Sequence, residues 1–417
     1  MDIREKIDQA NQKAVHCIID SDPVWVDVQP AGECIDNLED HMILHSGPPI
    51  DYKDMVMLHK RGMVSAMLFE GWAKDEKEAI EVIRSGEIKI ESALDHNTVG
   101  AGTGIITQSV MMNVVEDKTS GKRAATFPAE GPFEGGFCGW GLYSEEIADN
   151  LRYMREEIFP VIREALLRRN GVSIKPILAE SMQMGDENHT RQTASDMIFD
   201  KLFLPDLFML DCPKDEIIKA VRYIVDTPRF FHCYGQGASR SALLAADGTE
   251  YSTMVIAVCG NGVEFGIKVA GLKDQWFCAP APLMEGRYTS PQYTKKDQLP
   301  WIGDSCIVEC AGMGGFAAAA SPIVCYLRDM TMKEAIAQTR EMERISISRN
   351  PNFPIPNIDF DFLPVGIDIR LVLKTGICPT IHGGMFNYEG GLIGAGMARV
   401  PMECFEKAMK ALAVKYR

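Results

Sequence analysis

The chain has no Cys-x2-Cys pair, no bilayer-length apolar run, no clustered cations and no fixed-period repeat. Its twelve cysteines are scattered, and the tightest pair, Cys306 and Cys310, has a spacing that is a weak metal signal. Neither a zinc knuckle nor a disulfide framework is expected, and no metal is assigned. Neighbours such as Val258-Cys259 and Val324-Cys325 point to buried free thiols. The opening Met1-Asp2-Ile3-Arg4-Glu5-Lys6 is charged and lacks an apolar signal core, so the reading is a cytoplasmic protein with no membrane partner. A net charge of −15 argues against a nucleic-acid partner, whose phosphates need clustered cations. Gly260-Asn261-Gly262 joins two β-rich runs without a following strand-to-helix transition, so it is no dinucleotide fingerprint, and no cofactor is expected.

What is present is ordinary globular composition, 46% apolar and 24% charged, on 417 residues, more than one core usually serves. The expectation is an α+β multidomain protein with mixed or antiparallel sheets and a mostly helical middle segment. Domains are placed at 1–91 (N-terminal, α/β), 92–145 with 226–417 (main, α+β) and 146–225 (helical). Apolar periodicity predicts helices over 3–19, 52–70, 74–84 and 214–226. Ser144 is read as the cap of a long helix kinked by Pro160 and ended at Gly171. Thr331 to Glu334 is a capping box. Strands are expected at 24–28, 105–116, 123–127, 253–259, 263–270, 307–310 and, from strict alternation, 365–374. Residues 133–141 read as a boundary loop, and 348–356 as a connector. Pro401 opens the last helix.

The stretch richest in chemistry is Met184-Gly185-Asp186-Glu187-Asn188-His189-Thr190-Arg191-Gln192. It reads as a helix N-terminus, where free amides favour an anion, with Arg191 as the cation and His189 oriented by Asp186 or Glu187. A capped helix with an acidic first turn is the plainer reading. Asp95 and His96 stand at the mouth of a loop whose Gly100, Gly102 and Gly104 can form an amide nest. Gly235-Gln236-Gly237-Ala238-Ser239-Arg240 reads as a second glycine loop entering a helix, with Arg240 as its cation. His382, Gly383, Gly394 and Arg399 lie in the densest glycine region. The Gly312 to Gly315 loop allows close packing against core or ligand.

Asp95-His96 with its glycine loop, Met184 to Arg191, Gly260 to Phe265, Gly303-Asp304-Ser305 and the Gly390 to Pro401 run together resemble the YlbE-like proteins, a family first filed as a domain of unknown function. The resemblance spans most of the chain beyond residue 90. It implies a subunit type of oxamate carbamoyltransferase, which splits oxalurate with phosphate into oxamate and carbamoyl phosphate late in anaerobic allantoin breakdown. It also implies an FdrA-like partner subunit and a further small companion; a homodimer stays open. The resemblance supplies no catalytic residues.

Small anionic substrates need cations and amide nests, and transfer through a charged tetrahedral carbon needs donors aimed at an oxyanion. The residue types therefore assign catalysis to His189, Asp186, Glu187, His96 and Asp95. Substrate binding falls to Arg191, Arg240, Gly102, Gly104, His382, Gly383, Gly394 and Arg399. The 95–104, 184–191 and 382–399 segments are expected to line one cleft. Two alternatives stand beside this: a metal-dependent hydrolase using Asp95, His96, Asp186, Glu187 and His189, and a non-catalytic scaffold subunit.

Overall fold

The computed structural model describes residues 2–131, 139, 141, 142 and 144–416. Most of the expected boundary loop at 133–141 lies outside them. Helices combine with mixed and antiparallel sheets, the α+β class the patterning implies. A five-stranded sheet runs in the order Thr98–Val99, Arg123–Thr126, Met111–Asp117, Pro23–Pro30, Val172–Ser173, with its first pair parallel and the rest antiparallel. A four-stranded antiparallel sheet holds Phe277–Pro280, Glu264–Val269, Val255–Asn261 and Ile302–Gly303. A third sheet joins Glu285–Tyr288, Leu392–Arg399 and Thr380–Phe386. The middle segment is helical almost throughout, apart from loops and the short Val172–Ser173 strand.

Trp25, fully buried, ties the first sheet to two helices: its ring lies 4.7 Å from Tyr234 and 5.5 Å from Phe203. Such aromatic pairs add roughly 0.5–1.5 kcal/mol beyond area burial. The helix His232–Ala246 packs across Met111–Asp117 and Arg123–Thr126. This corrects the glycine-loop reading of 235–240, because those residues are helix interior. A Cβ on Gly237 would meet Val115 Cγ2 at 2.6 Å, so the glycine serves helix-on-sheet contact.

Other expectations also shift. Residues 307–310 form a short helix, not a strand, and 346–355 is a strand paired with Asp361–Ile367, not a connector. The alternating run from 365 ends as a strand at Ile367. Asp368 then caps the helix Ile369–Thr375 by accepting from the Arg370 amide at 2.8 Å and pairing its guanidinium, also at 2.8 Å. The expected 105–116 strand begins only at Met111. In the long middle helix, a π-turn over Met154–Ile158 precedes Pro160, which sits in the first turn of Phe159–Arg169. The wider turn accommodates a residue that cannot donate to the ladder. Thr331 forms its capping box. No helix among the described residues is long and apolar enough to cross a membrane.

Candidate active site

The residues 184–192 are a loop between Lys175–Gln183 and Thr193–Leu207, so the expected helix start near Asp186 is corrected. Asp186, buried, accepts from Ser195 N at 2.8 Å and Ser195 Oγ at 3.0 Å. Its own carboxylate thus occupies the helix end proposed for an anion, and burial raises its pKa. Arg191 turns back on the loop, donating to Gly185 O at 3.1 Å with its Nε 3.5 Å from Asp186. Gly185 has φ +107°, and a Cβ there would meet Arg191 Nη1 at 2.7 Å. Glu187, also buried, accepts from the amides of His189 (2.9 Å) and Thr190 and from the Thr190 hydroxyl. Burial opposes its charge, but the adjoining His382 imidazole and Thr190 outweigh that and hold its pKa at about 2. Both acidic side chains of the loop are therefore braces. His189 faces elsewhere.

His189 Nδ1 lies 2.8 Å from Glu309 Oε1, and His189 Nε2 lies 2.9 Å from Ser305 Oγ. A carboxylate only accepts, so Nδ1 carries the proton and Nε2 accepts from the serine hydroxyl. Glu309 Oε1 also takes the amides of His382 (2.8 Å) and Gly315 (3.2 Å), while Oε2 has no hydrogen-bond partner among the described residues. Gly314, at φ +58°, lets the backbone wrap this carboxylate, since a Cβ there would meet Oε1 at 2.1 Å. That is the use of the Gly312 to Gly315 loop. The arrangement is a serine–histidine–glutamate line of the kind that activates a hydroxyl or shuttles a proton.

The line opens on a cavity of about 110 Å³ whose walls include Ala101, Gly102, Thr190, Arg229, Trp301 and Gly383. The space equals that of about four liquid waters, at roughly 30 Å³ each. Arg229 keeps solvent access while protein packs around it, and that desolvation lowers its pKa. Among the described residues, the carboxylate whose charge acts on it is Asp196. The nearby Asp196 is engaged by Phe231 N at 2.8 Å, and burial pushes its carboxyl up to about 7. His232 stacks on His189 at 6.0 Å; burial drives its pKa well below the usual range, so it stands as a neutral ring beside the site. A second cavity, about 170 Å³, shares Ala101, Arg229 and His232 with the first.

Of the residues singled out from sequence, the structure brings His189, Gly102 and Gly383 to the cavity wall. Glu187 and His382 lie behind it, with His382 Nδ1 3.7 Å from Glu187. A Cβ on Gly102 would meet Gly139 O at 2.1 Å, and one on Gly383 the Trp301 ring at 2.7 Å. The rest lie elsewhere. Asp95 binds Lys268 at 2.6 Å and Trp276 at 3.1 Å; His96 pairs with Glu91 at 2.6 Å. Gly104 packs on Ser46, and Gly394 on the neighbouring strand's Arg287 carbonyl, both as close backbone approaches. Arg240 is buried and donates to Leu94 O at 2.8 Å, because its helix faces the core. Arg399 is exposed and pairs with Glu341 at 2.5 Å. The expected 95–104, 184–191 and 382–399 cleft therefore forms from Gly102, His189, Thr190 and Gly383, without Asp95, His96 or Arg399. The five residues of the metal-hydrolase alternative do not converge, and no group of three or more His, Cys, Asp or Glu among the described residues can hold a metal ion.

Sequence reasoning passed over Ser305, Glu309, Arg229, His232 and Trp301 as site residues. Glu309 had a signal: a lone charge in the apolar Ile307-Val308-Glu309-Cys310 run is costly to bury without partners. Ser305 appeared only within a family segment, and nothing local marks Arg229.

Fold and site define a multi-sheet α+β protein with a serine–histidine–glutamate line on a small cavity. Residues 88–305 match the family model for oxamate carbamoyltransferase subunit AllG, and the chain belongs to that family. It is 36% identical over 97% of both chains to oxamate carbamoyltransferase subunit AllG of Escherichia coli K12. It is 34% identical to the uncharacterized protein YahG of the same organism, covering 99% of this chain and 88% of that one. A crystal structure of a conserved protein of unknown function from Enterococcus faecalis V583 superposes over the full length of both chains with a TM-score of 0.96, at 34% identity.

Proposed function

We propose that this chain is a subunit of a carbamoyltransferase that moves a carbamoyl group between the nitrogen of oxamate and phosphate, forming oxamate and carbamoyl phosphate from oxalurate. The observation that carries this reading is the Ser305–His189–Glu309 line facing a cavity of about 110 Å³ walled by Arg229. A guanidinium fork suits the α-keto carboxylate common to oxalurate and oxamate. Carbamoyl transfer needs a proton carrier at the departing nitrogen, and His189 Nε2 supplies it. The cavity's small size suits a substrate of this class and rejects long acyl chains. The family's description as a subunit supports companions, and we assign the FdrA-like subunit and a small companion to that role, in the cytoplasm.

The test is oxalurate phosphorolysis by the reconstituted complex, read as carbamoyl phosphate formed. Omitting this chain is expected to abolish turnover. Arg229→Lys keeps the charge but loses the planar fork, so KM for oxalurate should rise by about tenfold, the equivalent of roughly 1.4 kcal/mol, with a smaller change in kcat. An unchanged KM would remove Arg229 from the substrate site.

A further inference from the structure

We infer that Ser305 is the nucleophile of a double-displacement reaction and carries the carbamoyl group as a covalent carbamate ester. The inference rests on the carbamoyltransferase reading above and specifies its route. Direct attack of phosphate on oxalurate needs no serine. Yet the structure places one, half-buried and on the cavity wall, with its Oγ 2.9 Å from His189 Nε2. His189 is held from behind by Glu309 at 2.8 Å, and Glu309 by two backbone amides. A hydroxyl with a base in hydrogen-bond reach, and a third group orienting the base, is the arrangement of an activated nucleophile. A hydroxyl kept only for packing has no use for an oriented imidazole.

The surrounding backbone supplies the rest. Ala101 and Gly102 lie on the cavity wall, and their amides have no hydrogen-bond partner among the described residues. Asp304 holds that loop beside Ser305: its carboxylate accepts from Gly47 N at 2.7 Å and Gly100 N at 3.1 Å, and its own amide donates to Gly100 O at 2.9 Å. Gly303, at φ +117°, leaves room for the approach, because a Cβ there would press on Gly102 N at 3.0 Å. Two such amides on the wall beside a nucleophile are candidates to stabilise the oxyanion of a tetrahedral intermediate.

In the first half-reaction Ser305 Oγ bonds to the carbamoyl carbon of oxalurate as its proton passes to His189 Nε2. The tetrahedral carbon then expels the oxamate nitrogen, which takes that proton and leaves as oxamate. In the second, a phosphate oxygen attacks the carbamoyl carbon and gives its proton to His189. The carbon–Oγ bond breaks, and the proton returns to Ser305. Nitrogen donation into the carbonyl makes a carbamate ester slow to hydrolyse, so the intermediate can wait for phosphate rather than pass to water.

The deciding experiment incubates the reconstituted complex with oxalurate and isotopically labelled oxamate in the absence of phosphate, then digests the acid-quenched protein for mass spectrometry. Label is expected to enter oxalurate, and the peptide bearing Ser305 should gain the mass of one carbamoyl group. Ser305→Ala should lose both signals and at least 10³-fold of phosphorolysis while melting within a few degrees of the parent, because one half-buried hydroxyl is removed. A complex that phosphorolyses oxalurate but shows neither exchange nor modified Ser305 overturns the covalent route and leaves the proposed function standing. A complex inactive on oxalurate overturns both. Modification at a residue other than Ser305 overturns the assignment of the nucleophile.

Discussion

Glu309 is the residue whose placement is hardest to explain without chemistry. A carboxylate with no solvent exposure, in an apolar run, costs several kcal/mol unless its charge is used. Here two backbone amides and His189 use one oxygen, and Gly314 is glycine so that the chain can reach it. Its effect on the imidazole is to fix the tautomer with Nε2 unprotonated toward Ser305. Glu309→Gln keeps the shape but can donate toward Nδ1, which favours the wrong tautomer. The expected loss in kcat is about 10⁴-fold with little change in KM, by analogy with the same change in other serine–histidine–acid lines. Steady-state kinetics on a variant shown by circular dichroism to be folded checks this; a drop of less than tenfold would make Glu309 a structural acid only.

At the scale of elements, the helix Thr193–Leu207 carries Asp196 in its first turn, with a carboxyl pushed up to about 7 by burial. The sign follows from which state binds the proton. Between the ordinary carboxylate value of 3.8 and about 7 the folded chain keeps the proton and the unfolded chain releases it. This group's contribution therefore falls as pH rises through that window. Asp196→Asn should flatten that decline, measured as urea stability at a series of pH values; an unchanged slope would show Asp196 ionised in the folded chain. A second element tests glycine packing. Alanine is a better helix former than glycine by about 1 kcal/mol, but an intruding methyl in a packed core costs about 1–3 kcal/mol. With Val115 Cγ2 2.6 Å from the added Cβ, Gly237→Ala should lower the melting temperature. A rise would mean that the helix stands off the sheet.

These two helices also mark where the sequence was legible and where it was not. Apolar period, caps and turns placed Ile3–Ile19, Lys214–Asp226 and the Thr331 capping box, because their stabilising contacts are local. Gly235 and Gly237 misled, because the same residue type that frees a loop also lets a helix meet a sheet, and only tertiary contact separates the two uses. The apolar 307–310 run misled in the same way, short enough to serve as helix or strand. His189 was legible as a chemical residue in a dense polar motif. Its partners Ser305 and Glu309 were not, since they lie 116 and 120 positions away and only folding joins them.

At the scale of the whole molecule, the proposed reaction requires a chain of net charge −15 to take small anions into a cavity built from distant loops. The general field repels such ligands, so the local donors must win: the Arg229 guanidinium, and the Ala101 and Gly102 amides of the loop that Asp304 braces. Glu187 and Asp186 are taken up by the amides and hydroxyls they accept from, and His189 and Thr190 are the residues of the 184–192 motif on the cavity wall. In the proposed reaction His189 moves the proton of carbamoyl transfer. The most direct test is kcat for oxalurate phosphorolysis in the reconstituted complex carrying His189→Gln, with a thermal melt alongside. The expected result is a folded variant whose kcat falls by about 10²–10⁴-fold; a folded variant turning over at near the parent rate would show that His189 does not carry the proton.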